Sequence, residues 1–214
     1  ELINELIATN YRVLNVSTSK GRENILTQVA SICDLPNLKG IFNDFAPHIV
    51  VHCAGATVKY YKQNPVDALN NQIIGTRNIV TASNEFGCEK IVFLSSNHVY
   101  IGFNEKDEVD ETVKLKFNLD SYNFDYNKLY GLSKYISETV CLNGFKNSVI
   151  LRLASIYGEG KCSNLIKGML YDSKKFGHIT IWGNENRRVQ FTYLPDVITA
   201  IVKSMQVDSG IYNI

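Results

Sequence analysis

The sequence predicts an α/β fold in which a doubly wound parallel β-sheet is covered by helices on both faces. Two observations predict it: short, nearly continuous apolar runs recur along the chain, and amphipathic, helix-like segments separate them. Such runs are typical of strands that are buried on both faces. Their alternation with helices indicates βαβ units with right-handed crossovers, and therefore parallel strands.

The predicted strands are spread over the whole chain. The first residues, "ELINELIATN", have the pattern of a helix body with no strand before it, and the chain stops at "GIYNI", directly after a predicted strand. Both ends look cut, so we expect a fragment of a longer protein. The other strands are predicted at "YRVLNV" (11–16), "IVVHCA" (49–54), "KIVFLSS" (90–96), "SVILRLAS" (148–155) and "HITIW" (178–182).

Two longer helices are predicted between the strands. The first spans 64–87, with a Pro near its start and a Gly at its end, which are the usual positions of these residues. The second, "KLYGLSKYISETVCLNG" (128–144), has apolar residues at three- and four-residue steps until Gly144.

Composition argues against several classes of function. Lys plus Arg number 22 against 21 for Asp plus Glu, so no global field attracts nucleic acid or an anionic membrane. No apolar run is long enough to span a bilayer, and the first residues lack the features of a signal peptide. The five cysteines are scattered, as is typical of reduced thiols in the cytosol, and no Cys/His cluster suggests a metal site. We therefore expect a cytoplasmic protein without a metal.

Tyr130 and Lys134, in "YGLSK", are the first candidates for chemistry. Residues four apart share one helix face, so the ammonium can approach the phenol. A nearby cation favours the phenolate, which predicts a lowered pKa of Tyr130 and a general acid/base for an alcohol or sugar hydroxyl. On the spacing alone, an ordinary exposed helix face is the more common explanation.

A hydroxyl-rich strand end, "FLSSNHVY" (93–100), is the second candidate. The carboxyl ends of parallel strands face the ligand crevice, so Ser95 and Ser96 would point towards a substrate oxygen. The alternative is a strand-end turn in which both serines cap the local backbone.

In their order and spacing these segments resemble the extended short-chain dehydrogenase/reductase superfamily, in its NAD(P)-dependent epimerase/dehydratase branch that works on nucleotide sugars. The resemblance covers essentially the whole chain. It implies a Rossmann-like domain at 1–155 and 191–203 and an incomplete substrate-binding lobe at 156–190 and 204–214. The motifs that carry it are "VVHCAG", "IIGTRNIV", "SSNHVY", "YGLSK", "LRLASIYGEG", "NRRVQFTYLPDV" and "GIYNI".

The resemblance also implies the roles of individual residues. Tyr130 would be the catalytic acid/base, Lys134 would tune it and bind the nicotinamide ribose, and Ser96 would hydrogen-bond the reacting oxygen. The implied cofactor contacts are Asp34, Ala54, Gly55, Lys134, Ser17 and Arg22. The implied substrate contacts are Ser96, Ser155, Asn164 and Arg188.

The end of the strand at 11–16 bears on the choice of cofactor. NAD enzymes usually carry an acid there that binds both ribose hydroxyls, whereas this chain has Ser17, Lys20 and Arg22 in that region. An uncharged strand end with nearby cations would accept the 2′-phosphate, so the cofactor is NAD or NADP, with NADP favoured. A solvated basic loop is the alternative. For Asp34, the alternative to an adenine contact is a cap of the local backbone.

Four departures from the family pattern are visible. The glycine-rich loop expected before the first helix is absent, and Gln72 stands where the family usually has Asn. Ser155 replaces an Asn that contacts substrate, and Glu159 replaces a Pro. The last two affect the identity of the sugar more than the type of reaction.

Asn97 and His98 occupy the positions at which the family's 4,6-dehydratases carry an Asp–Glu pair, which argues against dehydration. His98 is either a substitute acid/base or an idle strand-end histidine. We therefore expect a nucleotide-sugar epimerase that forms a homodimer through the two predicted long helices. The alternatives are a nucleotide 4-keto-sugar reductase or dehydrogenase, and a non-catalytic NAD(P)-binding protein of the same fold.

Overall fold

A computed structural model describes residues 1–104, 107–117, 125–159, 165–181 and 188–214. Within these residues a parallel four-stranded sheet, in the order β3-β4-β5-β8, forms the centre of the molecule. Two further parallel pairs, β1-β2 and β6-β7, complete the strands. The strands are β1 (Asn15–Ser17), β2 (Thr27–Val29), β3 (Ile49–His52), β4 (Lys90–Ser96), β5 (Ser148–Leu153), β6 (Ser155–Tyr157), β7 (Phe191–Tyr193) and β8 (Gly210–Asn213).

Helices connect the strands. A π-helical turn (Asn70–Ile74) lies between two of them, and a 3₁₀ turn (Asn97–Tyr100) follows β4. The α-helices are α1 (Leu2–Ala8), α2 (Leu35–Phe45), α3 (Val58–Gln63), α4 (Pro65–Leu69), α5 (Gly75–Glu85), α6 (Tyr126–Gly144), α7 (Leu165–Phe176) and α8 (Leu194–Ser204).

The central sheet is buried on both faces, because successive side chains of a strand point to opposite sides. From β4, Ile91 and Phe93 pack in one cluster with residues of α2, α5 and α6. Val92 packs in a second cluster with residues of α1 and α8. Each fully buried side chain of this size contributes about 1.5–3 kcal/mol. This arrangement confirms the predicted α/β fold with a doubly wound parallel sheet.

Several predicted strand boundaries were wrong. The strand predicted at 11–16 is only the short β1, which starts at Asn15, and β2 was not predicted. No strand forms at 178–181, where Ile179 and Ile181 are exposed and no strand within the described residues pairs with this segment. The last residue of that predicted strand, Trp182, lies outside the described residues. An apolar alternation of this length does not form a strand without a partner.

The helix predicted at 64–87 is divided into α4, the π-helical turn and α5. The wide turn carries Gln72 inwards, where its side chain is fully buried. Turns of this type are rare and are frequently found at functional sites. The helix predicted at 128–144 is α6, which starts two residues earlier at Tyr126 and ends at Gly144 as expected.

Candidate active site

A cleft of about 290 Å³ lies at the carboxyl ends of β3, β4 and β5, where α6 crosses them. A parallel sheet directs these strand ends towards one edge, so residues distant in sequence meet there. The three predicted catalytic residues all line the cleft. Among the residues that line it are Gly55, Ser96, His98, Tyr130, Lys134 and Ser155.

Lys134 is buried beside the tyrosine, one helical turn further along α6. Its Nζ lies 5.9 Å from the centroid of the Tyr130 ring and 4.9 Å from that of Phe93. The ammonium donates a hydrogen bond to the carbonyl oxygen of Leu94, at 2.8 Å. Burial lowers the pKa of Lys134 from 10.5 to about 8, because the charged form loses its hydration.

The predicted lowering of the Tyr130 pKa was wrong. Burial of the phenol raises this pKa above its ordinary value, and hydrogen bonding to Ser96 opposes the rise only in part. The reason is that burial disfavours the phenolate, while the nearest ammonium, of Lys134, is directed at a backbone carbonyl of β4. Tyr130 is therefore protonated at neutral pH.

The two serines at the end of β4 have different environments. Ser96 lines the cleft and caps the 3₁₀ turn, since its Oγ accepts a hydrogen bond from the backbone N–H of His98 at 3.3 Å. Ser95 points away and donates to Glu138 Oε1 at 2.5 Å. Both readings of Ser96, the cap and the cleft residue, are thus observed, whereas Ser95 belongs to a buried network.

His98 completes a cluster with Ser96 and Tyr130. Its Nδ1 lies 3.1 Å from Ser96 Oγ, and its ring meets the Tyr130 ring edge-on with centroids 5.2 Å apart. Gly131 permits this approach, because a Cβ at that position would lie 2.2 Å from the carbonyl oxygen of His98. The packing of α6 against the 3₁₀ turn therefore requires the absence of a side chain at the position that follows Tyr130.

A second close approach involves Gly55. A Cβ on Gly55 would lie 2.5 Å from Gln72 Oε1 and 3.5 Å from Lys134 Nζ. The side-chain nitrogen of Gln72 donates to Ser137 Oγ at 3.1 Å, whereas its buried Oε1 has no hydrogen-bond partner in the described part of the chain. Three groups thus lie close together: the open backbone of Gly55, the unpaired Oε1 of Gln72 and the ammonium of Lys134. This donor and acceptor set fits the hydroxyl groups of a cofactor ribose.

A buried ion pair lies beneath the cleft, and the sequence analysis missed it. Arg152 of β5 makes two hydrogen bonds to Glu138 of α6, with Nε to Oε1 at 3.0 Å and Nη2 to Oε2 at 2.7 Å. Arg152 Nη1 also donates to Tyr100 Oη at 2.7 Å, and Tyr100 donates to Asn213 Oδ1 at 2.8 Å. An arginine inside the apolar run "SVILRLAS" is the signal that could have found it, since charges are rarely buried unless paired.

The predicted cofactor contacts outside the cleft have mixed surroundings. Asp34 is the N-cap of α2 and accepts from the backbone N–H of Asn37 at 3.2 Å, which is the capping alternative. Ser17 ends β1 and is half-buried, while Arg22 is exposed. Ala54 follows β3 and is half-buried. Their contacts with a cofactor stay predictions.

The predicted substrate contacts are divided in the same way. Ser155, the first residue of β6, lines the cleft together with Ser96. Arg188 is exposed and is not among the residues that line this cleft. Asn164 lies outside the described residues. Within the described ranges there is no cluster of three His, Cys, Asp or Glu residues that could hold a metal ion, and no helix is long and apolar enough to cross a membrane.

Comparison with known proteins identifies the family of this chain. Residues 1–214 match the model of the NAD dependent epimerase/dehydratase family. The chain belongs to this family.

The curated relatives of this chain include two that are named as 4-epimerases of UDP-sugars, one of them putative. A putative UDP-glucose 4-epimerase of Methanocaldococcus jannaschii is 28% identical, with 100% of this chain and 72% of the relative covered. A UDP-glucuronate 4-epimerase of Thermodesulfobacterium geofontis is 25% identical, with 95% of this chain and 62% of the relative covered. An uncharacterized protein of M. jannaschii, 27% identical, is covered over 57% of its length, so the chain spans about three fifths of these last two relatives.

Solved structures show the same fold. The UDP-glucose 4-epimerase of Thermotoga maritima with UDP-glucose superposes with a TM-score of 0.79 at 23% identity, covering 100% of this chain and 72% of that one. MoeE5 in complex with UDP-glucuronic acid and NAD gives a TM-score of 0.82 at 22% identity, with 100% and 71% covered. The dTDP-4-dehydrorhamnose reductase of Bacillus anthracis in complex with NADP gives 0.69 at 23% identity, with 89% and 66% covered. The Rossmann-like α/β architecture of this family is thereby confirmed.

Proposed function

We propose that this chain is the catalytic part of an NAD(P)-dependent epimerase that acts on a nucleotide sugar. The observation that carries the proposal is that Ser96, Tyr130 and Lys134, which come from β4 and α6, line one cleft in a chain of the epimerase/dehydratase family. Two relatives that cover most of the chain are 4-epimerases of UDP-sugars by name, one of them putative, which supports this class of substrate.

In this mechanism each residue of the cleft has a separate task. Tyr130 exchanges a proton between its Oη and a sugar hydroxyl, and the Ser96 hydroxyl hydrogen-bonds the same sugar oxygen. Lys134, with Gly55 beside it, binds the ribose next to the nicotinamide. When bound, the nicotinamide supplies the hydride acceptor that chemistry at a sugar carbon requires. Of the two forms, NADP is favoured by the exposed Arg22 near Ser17.

A nucleotide 4-keto-sugar reductase is the second candidate. Asn97 and His98 line the cleft where a dehydratase would need two carboxyl groups, which favours epimerisation or reduction over dehydration. A non-catalytic binding protein is the least favoured candidate, because it has no need of Ser96, Tyr130 and Lys134 together.

The test uses the full-length protein with NAD(H) or NADP(H) and a panel of UDP-, dTDP-, GDP- and CDP-sugars. Products identified by NMR distinguish an epimer from a reduced sugar. We expect Tyr130→Phe to lower turnover at least 100-fold and to leave cofactor affinity within threefold, because only the proton-transferring oxygen is lost.

The matched control is Tyr126→Phe, which removes an exposed phenol from the first residue of the same helix and is expected to keep full activity. Full activity of Tyr130→Phe would contradict the proposed mechanism. A wild-type protein that binds cofactor yet converts no sugar would instead favour the non-catalytic candidate.

A homodimer that pairs α5 and α6 of two subunits is part of the proposal. Tyr135 and Leu142 on α6 are 39% and 38% exposed, so apolar area is available for burial on this helix. Light scattering after gel filtration measures the mass, and a monomer at micromolar concentration would contradict this part.

A further inference from the structure

The ring of Tyr130 is contacted edge-on by two aromatic rings from different elements. The ring of Tyr61, in α3, meets it with centroids 5.8 Å apart and an interplanar angle of 76°. The ring of His98, in the 3₁₀ turn, meets it at 5.2 Å and 83°. Edge-to-face pairs depend on orientation, because the positive edge of one ring is attracted to the negative face of the other. The two contacts therefore favour one orientation of the half-buried ring of Tyr130 in the cleft.

Tyr61 is held more firmly than the ring that it contacts. Its side chain is completely buried, and its hydroxyl donates a hydrogen bond to Ser133 Oγ at 2.6 Å. The carbonyl oxygen of Ala68, in α4, lies 3.3 Å from the same hydroxyl. Because burial and hydrogen bonding fix Tyr61, its ring is a rigid neighbour for the ring of Tyr130.

A second connection from Tyr61 reaches the backbone of Tyr130. Ser133 has one hydroxyl proton, which it donates to the carbonyl oxygen of Tyr130 at 2.7 Å. The oxygen of this hydroxyl remains free to accept the hydrogen bond from Tyr61. The ring and the backbone of Tyr130 are thus both connected to one residue of α3, the first directly and the second through Ser133.

The position of α3 relates these contacts to the cleft. Thr57, the N-cap of α3, lines the cleft together with Val58, Gly55 and Ala56. Tyr61 itself is not among the residues that line it. The cleft wall at 55–58 and the ring of Tyr130 are therefore connected through a residue that lies outside the cleft.

We propose that Tyr61 is a positioning residue that holds the ring of Tyr130 in the orientation required for proton transfer to the sugar. The proposal rests on the proposed function for the role of Tyr130. Tyr61 acts through its ring, since the ring contacts Tyr130 directly, whereas its hydroxyl anchors Tyr61 itself. A displacement of about 1 Å in a reacting group can lower a rate by about 100-fold, so loss of this contact should be measurable in turnover.

The first test observes the ring of Tyr130 without turnover. Full-length protein is labelled with 3-fluorotyrosine and examined by ¹⁹F NMR, and the signal of Tyr130 is assigned by its loss in Tyr130→Phe. We expect the wild-type signal to be displaced from that of free 3-fluorotyrosine, because neighbouring rings and burial shift it. Tyr61→Leu should move the signal at least halfway to the free position, whereas Tyr61→Phe should move it by less than a quarter of that displacement.

Tyr60→Leu is the matched control. Tyr60 precedes Tyr61 in the same helix, and within the described residues the rings that contact Tyr130 are those of Tyr61 and His98. This control should leave the Tyr130 signal unchanged. Tyr61→Met decides the question if Tyr61→Leu does not fold, because methionine fills irregular gaps but offers no aromatic ring.

The second test measures turnover of the full-length enzyme with the sugar that it converts. Tyr61→Leu is expected to lower kcat at least tenfold, while the KM for the sugar changes less than threefold because the groups that bind it are unaltered. Tyr61→Phe should retain at least a third of the wild-type kcat, since it keeps the ring and lacks only the hydroxyl.

An unchanged Tyr130 signal in a folded Tyr61→Leu or Tyr61→Met variant would overturn the proposal. A loss of kcat in Tyr61→Phe as large as that in Tyr61→Leu would also overturn it, because the ring would then be unimportant. If the wild-type enzyme converts no sugar at all, the proposed function fails, and the ¹⁹F signals still decide whether Tyr61 holds the ring.

Discussion

At the scale of single residues, the candidate site is governed by burial. Tyr130 and Lys134 stand four residues apart as the sequence showed, yet burial raises the pKa of the phenol and lowers that of the ammonium to about 8. Both shifts disfavour the charged forms. The pair is therefore a protonated phenol beside an ammonium that is held by the carbonyl of Leu94.

The shifted pKa of Lys134 predicts how stability depends on pH. Its pKa is about 8 in the folded chain and 10.5 when unperturbed, so the unfolded chain binds the proton more tightly between these values. The Lys134→Met variant has no ammonium to bury. Its free energy of unfolding should therefore exceed that of the wild-type chain by the largest amount below pH 8. The advantage should shrink by about 3 kcal/mol as the pH approaches 10.5. Urea denaturation across this range measures the difference, and a constant difference would contradict the buried ammonium.

Substitution of Gly55 should affect both stability and cofactor binding. Gly55→Ala places a Cβ 2.5 Å from Gln72 Oε1, and the Gln72 side chain is anchored to Ser137 and cannot retreat freely. We expect a loss of about 1–3 kcal/mol in the free energy of unfolding, together with at least tenfold weaker cofactor binding. Thermal unfolding and fluorescence titration with NAD(P)H measure the two effects.

Gly40→Ala is the matched control for Gly55→Ala. A Cβ at Gly40 would meet nothing within 4 Å, and this glycine lies inside α2. The free energy of unfolding of this variant is expected to rise by about 0.5–1 kcal/mol, because alanine is the better helix former. Equal behaviour of the two variants would show that the close approach at Gly55 is unimportant.

At the scale of secondary-structure elements, α6 is the part that assembles the site. It carries Tyr130 and Lys134, packs against the 3₁₀ turn through Gly131, and is tied to β5 by the Glu138–Arg152 ion pair. Both ends of that ion pair are almost completely buried, at 1% and 3% exposure. The position of the α6 face that carries Tyr130 and Lys134 therefore depends on a charge pair that begins one helical turn beyond Lys134.

Breaking this ion pair from one side should be costly. Arg152→Leu leaves the carboxylate of Glu138 buried without its guanidinium, and we expect a loss of about 3–5 kcal/mol in the free energy of unfolding. The double variant Glu138→Leu/Arg152→Leu removes both charges and should be more stable than Arg152→Leu alone. Urea denaturation of the set measures the coupling, and additive losses would contradict it.

An exposed ion pair provides the comparison. Lys39 and Glu85 connect α2 to α5 with side chains that are 35% and 46% exposed. Solvent screens this pair, so Lys39→Ala should lower the free energy of unfolding by less than about 1 kcal/mol.

At the scale of the whole molecule, much of the fold was predictable because strands that are buried on both faces have mostly apolar sequences. The strands β3, β4 and β5 are mostly apolar runs, and they were predicted within a few residues of their bounds. The short strand β2 was missed, since its "TQV" is mostly exposed and has no apolar alternation. The segment at 178–181 shows the opposite error, because its apolar alternation has no partner strand in the part of the chain that the structure describes, and it forms no strand there.

The residues of the candidate site were predictable to the extent that they belong to motifs. Ser96, Tyr130 and Lys134 meet at one cleft as expected. The contacts of Gln72, the ion pair of Glu138 with Arg152, and the hydrogen bond between Ser96 and His98 were not foreseen. They join elements that are far apart in sequence or depend on a rotamer, and neither leaves a periodic pattern.

The sequence by itself determined the class of fold and the family, and it predicts Tyr130 and Lys134 as the acid/base pair, because these inferences follow from hydrophobic periodicity and from ordered local motifs. Only the tertiary structure decided the protonation of that pair and the place of His98 beside it. Both depend on how much water is excluded and on which groups are brought within hydrogen-bonding distance, and these quantities arise only when α6 packs on the ends of β4 and β5.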